Sequence, residues 1–269
     1  MESNLLERTV ADVLRETLDV ADDTLFMVNP TVDVIEDLVD VLDDDDPTVR
    51  LLASERVLKD VMDDFLVASR AADHVEAGQL DVRTYDDGVN TLLVTEGTVV
   101  AVVSAGDRVA GLVTDDETFI DEAWSQFERV WDAAAEYHLR TPGISRVRET
   151  LASSLGEPTA DDFDAVLASL ETARGTGDGL DEVTVSLLVA AKNEDLLYDI
   201  SKWGEDVGIA SKATFSRTKT RLEELGLIDT EKVPIDVGRP RLRLKLGDER
   251  LRDADAGQLA STAQSMLAA

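Results

Sequence analysis

The chain has 269 residues, with 57 acidic against 26 basic side chains and a formal net charge of −31. This length suits one large domain or two ordinary ones, and 43% apolar residues suffice for a buried core, which excludes wholesale disorder. No apolar run approaches the roughly 18 residues of a membrane span, and the amino terminus has no basic and apolar leader, so we expect a cytoplasmic protein. Because cysteine is absent, we expect neither disulfides nor thiolate metal sites.

The acidic residues are spread along the whole chain, and lysine is scarce, with 7 Lys among the 26 basic residues. At about 1 M salt the screening length falls to roughly 3 Å, so a large net charge becomes tolerable. The composition therefore predicts a halophilic protein. The run Asp43–Asp46 is then interpreted as a solvated loop, and no metal site or cofactor is predicted.

The first half alternates between strands and helices, which is typical of a mixed sheet covered by helices. Three β-rich runs, separated by turn residues, follow the last crossover and predict a meander. In chain order the predicted elements are a helix over 5–18, a strand over 24–28, a helix from a cap at Thr31 to about 42, a strand over 49–53, a helix over 55–77 capped by Ser54, a strand over 80–85, the meander over 91–95, 98–104 and 109–114, and a helix over 116–138.

Residues 1–140 are therefore predicted to form an α/β ligand-sensing domain. Its pocket is expected where strands lead into helix amino termini, because free N–H groups there favour anions. Because cations are rare in this half, arginines near these helix amino termini are candidates for binding an anion. Each of them could equally neutralise acidic residues on a helix surface. The predicted ligand-binding residues are Asn29, Thr31, Ser54, Glu55, Arg56 and Arg108.

An enzyme is the rival interpretation of this half. His74 and His138 are both placed within predicted helices without an identifiable partner, which favours structural roles. No Ser-His-Asp order and no metal-ligand spacing is found, so no catalytic residue is predicted.

The segment Arg140-Thr141-Pro142-Gly143 breaks the preceding helix and is taken as the domain boundary. Helices are predicted over 145–155 and 160–174. Residues 141–179 are thus interpreted as a helical linker through which the protein forms a homodimer.

The charge balance reverses near the carboxyl terminus. Residues 1–180 hold 13 basic and 41 acidic residues, a net charge of −28, whereas residues 211–245 hold nine basic and five acidic residues, a net charge of +4. A basic segment in an acidic chain indicates a surface that meets a polyanion.

The order of elements around this segment is that of a winged helix-turn-helix domain, predicted over residues 180–250 and followed by a tail over 251–269. The predicted elements are helices over 182–192, over 200–207 with a cap at Asp199, and over 212–225 between a cap at Ser211 and a stop at Gly226, then strands over 227–233 and 241–246.

The third of these helices has two faces. Phe215, Thr218, Leu222 and Leu225 follow core spacing, and the opposite face is small, hydroxylated and basic, as a helix in a major groove requires. In the last strand, leucines alternate with cations, and an arginine at the hairpin tip suits a minor groove. Arg221 and Lys232 are instead expected in surface ion pairs. The predicted DNA-binding residues are Lys212, Ala213, Ser216, Arg217, Lys219, Thr220, Arg239, Arg241 and Arg243.

Two stretches make this region resemble haloarchaeal transcriptional regulators of the TbsP type: Ser-Lys-Trp-Gly-Glu-Asp-Val-Gly-Ile-Ala at 201–210 and Gly-Arg-Pro-Arg-Leu-Arg-Leu at 238–244. The likeness extends to residues 58–73 and 105–111. It implies a sequence-specific regulator of central carbon metabolism (glycolysis against gluconeogenesis) that responds to a sugar or sugar phosphate. It carries over no ligand residue. A winged-helix factor that docks on transcription proteins and an α/β sugar-phosphate enzyme fused to a winged helix remain the alternatives.

Overall fold

The computed structural model describes residues 4–87, 90–106, 108–170, 172–173, 180–235 and 240–268. The chain divides into two compact units, one of residues 1–63 and 70–139 and one of residues 64–69 and 140–269. Within the described ranges, no helix is both long and apolar enough to span a bilayer.

The first unit is built on one mixed sheet. Its strands lie in the order β1-β7-β6-β5-β2-β3-β4-β8, with β2, β3 and β4 parallel and every other neighbour antiparallel. The strands are β1 (Asn4–Glu7), β2 (Thr24–Val28), β3 (Thr48–Ala53), β4 (Leu80–Thr84), β5 (Leu92–Val94), β6 (Val99–Ala105), β7 (Arg108–Thr114) and β8 (Ala135–Glu136).

Helices cover both faces of this sheet. Phe26 and Val28 of β2 pack with Phe127 and Trp131 of the last helix, which covers one face. The chain crosses from β2 to β3 and from β3 to β4 in the same direction along the sheet. Because such connections are right-handed, the helices between these strands lie on the other face. The helices of this unit are α1 (Val10–Val20), α2 (Val32–Val41), α3 (Glu55–Met62), α4 (Phe65–Ala77) and α5 (Glu117–Ala133), except that the start of α4, up to Ser69, belongs to the second unit.

The predicted helix over 5–18 is wrong at its start. Residues 4–7 form β1, which pairs with β7, and α1 begins only at Val10. Thr9 and Asp12 explain the start, because each side chain accepts a hydrogen bond from the other's backbone N–H and together they form a capping box.

The predicted helix over 55–77 is two helices, α3 and α4. Asp64, which is buried, accepts a hydrogen bond from the N–H of Leu66 and so caps the start of α4. The same carboxylate binds the Thr172 hydroxyl and the N–H of Ala173, and the N–H of Phe65 donates to the Ala173 carbonyl. The break in the helix is therefore fixed by a segment distant in sequence.

The predicted helix over 116–138 is too long. Asp116 caps α5 as expected, but α5 ends at Ala133 and the chain then pairs with β4 as β8. His138 consequently lies outside any helix, whereas His74 lies within α4 and contacts Gln79 and the Val39 carbonyl.

The second unit contains a helix-turn-helix domain with a β-hairpin, so the predicted fold class of a mixed α/β domain followed by such a domain is confirmed. Its apolar residues, including those of the predicted linker helices, belong to one core. The elements are α6 (Ile144–Leu155), α7 (Glu157–Ala168), α8 (Glu182–Lys192), α9 (Leu197–Val207), α10 (Lys212–Glu224), β9 (Ile228–Val233), β10 (Arg241–Leu246), α11 (Glu249–Arg252) and α12 (Ala256–Leu267).

Three details of this unit differ from the sequence-based expectations. The helix expected from Ile200 begins at Leu197, so Asp199 lies in its first turn and does not cap it. Leu225, expected in the core, is exposed. The segment expected to be a tail forms α11 and α12, and Leu259 of α12 is fully buried in the common core.

Candidate nucleic-acid interface

Local signals in the sequence fix the geometry of the helix-turn-helix. Gly208 ends α9 with a left-handed φ of 98°, a conformation that costs glycine nothing. Three residues later the Ser211 hydroxyl accepts a hydrogen bond from the N–H of Thr214 and starts α10. Gly226, with φ of 72°, ends α10 as predicted.

One side of α10 anchors it and the other is open. Phe215 and Leu222 are buried in the core of the unit. The residues of the opposite side are exposed and carry small, hydroxyl or guanidinium side chains, a composition able to approach base edges. They are Ala213, Ser216, Arg217 and Thr220.

Several cations of the basic segment are engaged in ion pairs. Each partner is an acidic residue of the same unit, so these cations are only partly available to an external anion. The pairs are Lys212–Glu205 at 2.6 Å, Lys219–Glu223 at 2.7 Å, Arg241–Asp199 at 3.3 Å and Lys245–Glu231 at 2.6 Å.

Hydrogen bonds in these pairs perturb the carboxyl groups. The bond from the Lys212 ammonium, with a second from the Lys212 backbone N–H, lowers the pKa of Glu205. The bond from Lys245 likewise lowers the pKa of Glu231. Both carboxylates are therefore charged at neutral pH, and an incoming phosphate competes with them for the lysines.

Lys219 is set apart from the open side of α10. Its side chain is only 12% exposed and contacts Glu223, whose carboxylate also accepts a hydrogen bond from the Thr230 hydroxyl of β9. This arrangement joins α10 to β9, so Lys219 has a structural task that the sequence did not indicate.

Arg217 is different, because no described carboxylate lies within ion-pair distance of its guanidinium. Its only hydrogen bond within the described residues is to the Thr214 hydroxyl, at 3.3 Å. Arg221, Lys232 and Arg243 also have no ion pair within those residues, so the ion pairs expected for Arg221 and Lys232 are not found.

The hairpin has one buried and one polar face. Leu244 and Leu246 are buried, as the alternation in β10 predicts. Arg241 stacks on the Tyr198 ring, with its guanidinium carbon 4.2 Å from the ring centroid, and this contact joins the hairpin to α9. The Nε of Arg243 is buried without a described hydrogen-bond partner. Arg239, predicted at the hairpin tip, lies outside the described residues.

A groove of about 370 Å³ lies beside the open side of α10. Its walls are mostly apolar, with hydroxyl and cationic groups at intervals. They are formed by Leu197, Tyr198, Ser201, Lys212, Ser216, Ile235, Pro240, Arg241 and Leu242.

The residues predicted to bind a ligand in the first unit are not all brought together. Asn29, with φ of 51°, follows β2, and Ser54 follows the neighbouring parallel strand β3. The Ser54 hydroxyl is occupied by the N–H of Val57 as a helix cap. Thr31 is at the cap position of α2, and its side chain makes no cap hydrogen bond.

The charged members of that set are exposed or distant. Glu55 pairs with Lys59 at 2.6 Å, and Arg56 is 91% exposed with Asp60 at 3.8 Å. Arg108 begins β7, which is separated from β2 by β6 and β5 in the sheet.

Sequence reasoning missed two other arginines of this unit. Arg50 and Arg83 both stack on Trp131, with guanidinium carbons 5.7 and 4.5 Å from its ring, and Arg83 donates to the Trp131 carbonyl at the end of α5. A cation at a helix carboxyl end stabilises the helix dipole, which explains Arg83 structurally. Among the described residues, no three or more His, Asp or Glu side chains are grouped so that they could hold a metal ion.

Comparison with known proteins agrees with this geometry. The family model for the N-terminal part of TbsP-like transcriptional regulators matches residues 2–142, and the model for their C-terminal HTH domain matches residues 143–264. No curated protein matches the sequence.

Solved structures give weaker likenesses. TrmBL2, an archaeal chromatin protein whose structure shows a novel mode of DNA binding, is 16% identical with a TM-score of 0.35, over 51% of this chain and 54% of TrmBL2. The match thus spans about half of the TrmBL2 chain. NucT from Helicobacter pylori is 11% identical with a TM-score of 0.35, over 50% of this chain and 99% of NucT.

Proposed function

Because the chain belongs to the family of TbsP-like transcriptional regulators, which carry a helix-turn-helix DNA-binding domain, we propose that it reads a specific DNA sequence by inserting α10 into a major groove. The observation that carries this proposal is the open side of α10. It presents Ser216, Arg217 and Thr220, and Arg217 has no described carboxylate to bind. An unpaired guanidinium can bind O6 and N7 of guanine through two parallel hydrogen bonds.

The hairpin and the groove supply contacts to the DNA backbone in this proposal. The groove beside α10 has the apolar walls that suit a deoxyribose, and Lys212, Ser201 and Ser216 offer donors for a phosphate. We propose that the hairpin contacts the DNA backbone through Arg239, Arg241 and Arg243. Arg241 must leave Asp199 to do so, which makes it a weaker contact than Arg217.

The acidic composition sets the conditions for this binding. In a halophile's cytoplasm at molar salt, release of counterions from DNA yields little free energy. Specific base contacts then matter more than the number of cations. This agrees with an interface in which Lys212, Arg241 and Lys245 are already paired with carboxylates.

For the first unit we propose the role of sensor for a sugar or sugar phosphate, with genes of glycolysis and gluconeogenesis as the regulated set. The carboxyl ends of β2 and β3 support this choice, because parallel strands lead there into helix amino termini. We propose that Asn29 and Thr31 contact the sugar, because Thr31 makes no cap hydrogen bond within the protein. Arg56, which is largely exposed, is proposed to contact the phosphate.

A homodimer completes the proposal. A single helix-turn-helix reads only a few base pairs, and a two-fold pair of them reads a palindromic site with one helical turn between half-sites.

The decisive experiment is genome-wide mapping of DNA bound by the protein in cells, with and without sugar, together with binding of the purified protein to the recovered sites in concentrated KCl. We expect occupancy of carbon-metabolism promoters that changes with sugar. If the Arg217→Ala variant still occupies the same promoters because another transcription factor holds it there, the docking alternative is supported instead. Turnover of a sugar phosphate by the purified protein would support the enzyme.

A further inference from the structure

Exposed large apolar side chains of the first unit gather near β6 and β7. Val103 of β6 is 44% exposed, and Leu112 of β7 is 48% exposed. Phe119, in the first turn of α5, is 52% exposed. The other exposed large apolar side chains described in this unit are Val20, at the end of α1, and Val75, in α4. Three of these five side chains therefore belong to one strand pair and the helix that follows it.

The strand register puts Val103 and Leu112 on the same face of the sheet. Val99, Ala101 and Val103 alternate on one face of β6, and Ala101 lies directly opposite Leu112 in β7. Val99 is buried in the cluster that α5 covers. The exposed pair thus continues the face on which α5 packs, at positions where the helix leaves it open.

The strand pair β6 and β7 carries less charge than the chain as a whole. Residues 98–114 contain one acidic residue, Asp107, and one basic residue, Arg108, whereas the whole chain has 57 acidic residues in 269. Two copies that met through the acidic surfaces of the first unit would bring carboxylates together. On this face they would bring apolar side chains together, and a two-fold axis places identical side chains against each other.

The helices first expected to form a dimer do not offer a comparable surface. Val147 and Leu151 of α6 and Phe163 and Val166 of α7 are buried in the core of their own unit. Neither helix has an exposed large apolar side chain among its described residues.

We propose that two copies of this chain associate through the open face of β6 and β7, with Leu112 close to the two-fold axis. The inference rests on the homodimer of the proposed function and supplies its surface. Few side chains are involved, so the contact is smaller than the roughly 800 Å² per partner of a standard interface and the association is weak. Concentrated salt screens the repulsion between the acidic copies, and this screening strengthens the association.

The test is sedimentation equilibrium of the full chain in about 3 M KCl, where screening is nearly complete. The variants are Leu112→Glu and Val103→Glu, which put a carboxylate on the face. The matched controls are Val20→Glu and Val75→Glu, which make the same change at exposed valines elsewhere in the unit. We expect the first two to weaken dimerisation at least tenfold and the controls to change it less than twofold. Circular dichroism checks that all four fold.

A second measurement does not depend on a destabilising charge. The chain has no cysteine, so Leu112→Cys introduces a single thiol. When dissolved oxygen accepts the two electrons, two thiols near a two-fold axis form a disulfide, and we expect Leu112→Cys to form a covalent dimer much faster than Val20→Cys under the same aeration.

The outcomes separate this inference from the proposed function. A wild-type dimer that resists both glutamate substitutions and gives no Leu112→Cys crosslink overturns the surface but leaves the homodimer. A monomeric wild type in concentrated KCl overturns the surface and the homodimer together. Promoter binding is measured on the same samples, so a monomer that still binds its site leaves the regulator proposal intact.

Discussion

Gly204 of α9 lies against the ring of Phe215 in α10. A Cβ placed on Gly204 would be 2.4 Å from two ring carbons of Phe215, well inside contact distance. Phe215 is fully buried, so its ring has no room to move away. The absence of a side chain at Gly204 therefore sets how closely the two helices of the DNA-binding motif approach.

Gly204→Ala is expected to destabilise the second unit. Forcing an extra methyl group into a filled core costs about 1–3 kcal/mol, which lowers the melting temperature of a domain of this size by roughly 3–10 °C. The control is Gly257→Ala in α12, where the added Cβ meets one atom at 3.5 Å. Alanine favours helices over glycine, so this control should melt no lower than the wild type. Equal melting temperatures for the two variants would contradict the prediction.

Arg217→Ala is expected to weaken specific DNA binding. Loss of a bidentate guanine contact costs about 1–3 kcal/mol, or roughly 5- to 150-fold in affinity. Fluorescence anisotropy with a recovered promoter site in concentrated KCl measures the effect. Arg250→Ala is the control, because Arg250 is an exposed arginine of α11 that pairs with Asp248. The idea fails if both substitutions change the affinity equally.

Asp199→Asn is expected to strengthen DNA binding. The substitution removes the carboxylate that pairs with Arg241 at 3.3 Å, and it leaves Arg241 stacked on Tyr198. One further cation is then available to a phosphate, so we expect about threefold higher affinity at the lowest KCl concentration and a steeper fall of the affinity with salt. The same anisotropy titration, repeated at several KCl concentrations, measures both. An unchanged salt dependence would show that Arg241 does not reach the DNA.

Asp195 gives the second unit a dependence on pH. The pKa of this half-buried carboxyl is raised to about 6, chiefly by burial; the hydrogen bond from the Thr159 hydroxyl opposes the shift, and the charge of Asp199 adds to it. The folded state therefore binds the proton more tightly than the unfolded state. This contribution to stability is complete below about pH 4 and is lost as the pH rises through about 6.

Asp195→Asn removes that loss while keeping an acceptor for Thr159. Because the side chain is only half buried, we expect a gain of about 1 kcal/mol at pH 7.5, or roughly 2–4 °C in melting temperature, and no gain near pH 4. Calorimetry at the two pH values tests the sign. A variant that is less stable at pH 7.5 would contradict it.

Elements with local signals were predictable from the sequence. The helix predicted over residues 182–192 is α8 at the same bounds, and the cap at Ser211 and the stop at Gly226 are where the sequence placed them. Such signals lie within a few residues of the element they fix, so no knowledge of the fold is needed.

Elements that depend on distant partners were not predictable. Residues 4–7 are a strand because β7, about a hundred residues later, offers an edge to pair with. The ion pairs have the same origin. Asp199 finds Arg241, 42 residues away, only after the hairpin has packed on α9, so the sequence could not say which cations of the basic segment are engaged. Arg217 and Arg241 were both predicted to bind DNA, and only the structure shows that Arg241 is paired with a carboxylate.

The start of α4 has a consequence for protein engineering. Residues 64–69 belong to the DNA-binding unit although they are surrounded in sequence by the other one, and Phe65 and Leu66 contribute to its core. A fragment that begins at Arg140 would lack both side chains and the Asp64 carboxylate that holds Thr172 and Ala173. The two units therefore cannot be separated at a single point in the sequence, and a chimaera that takes the second unit from this protein must also take the start of α4, which lies in sequence within the first unit.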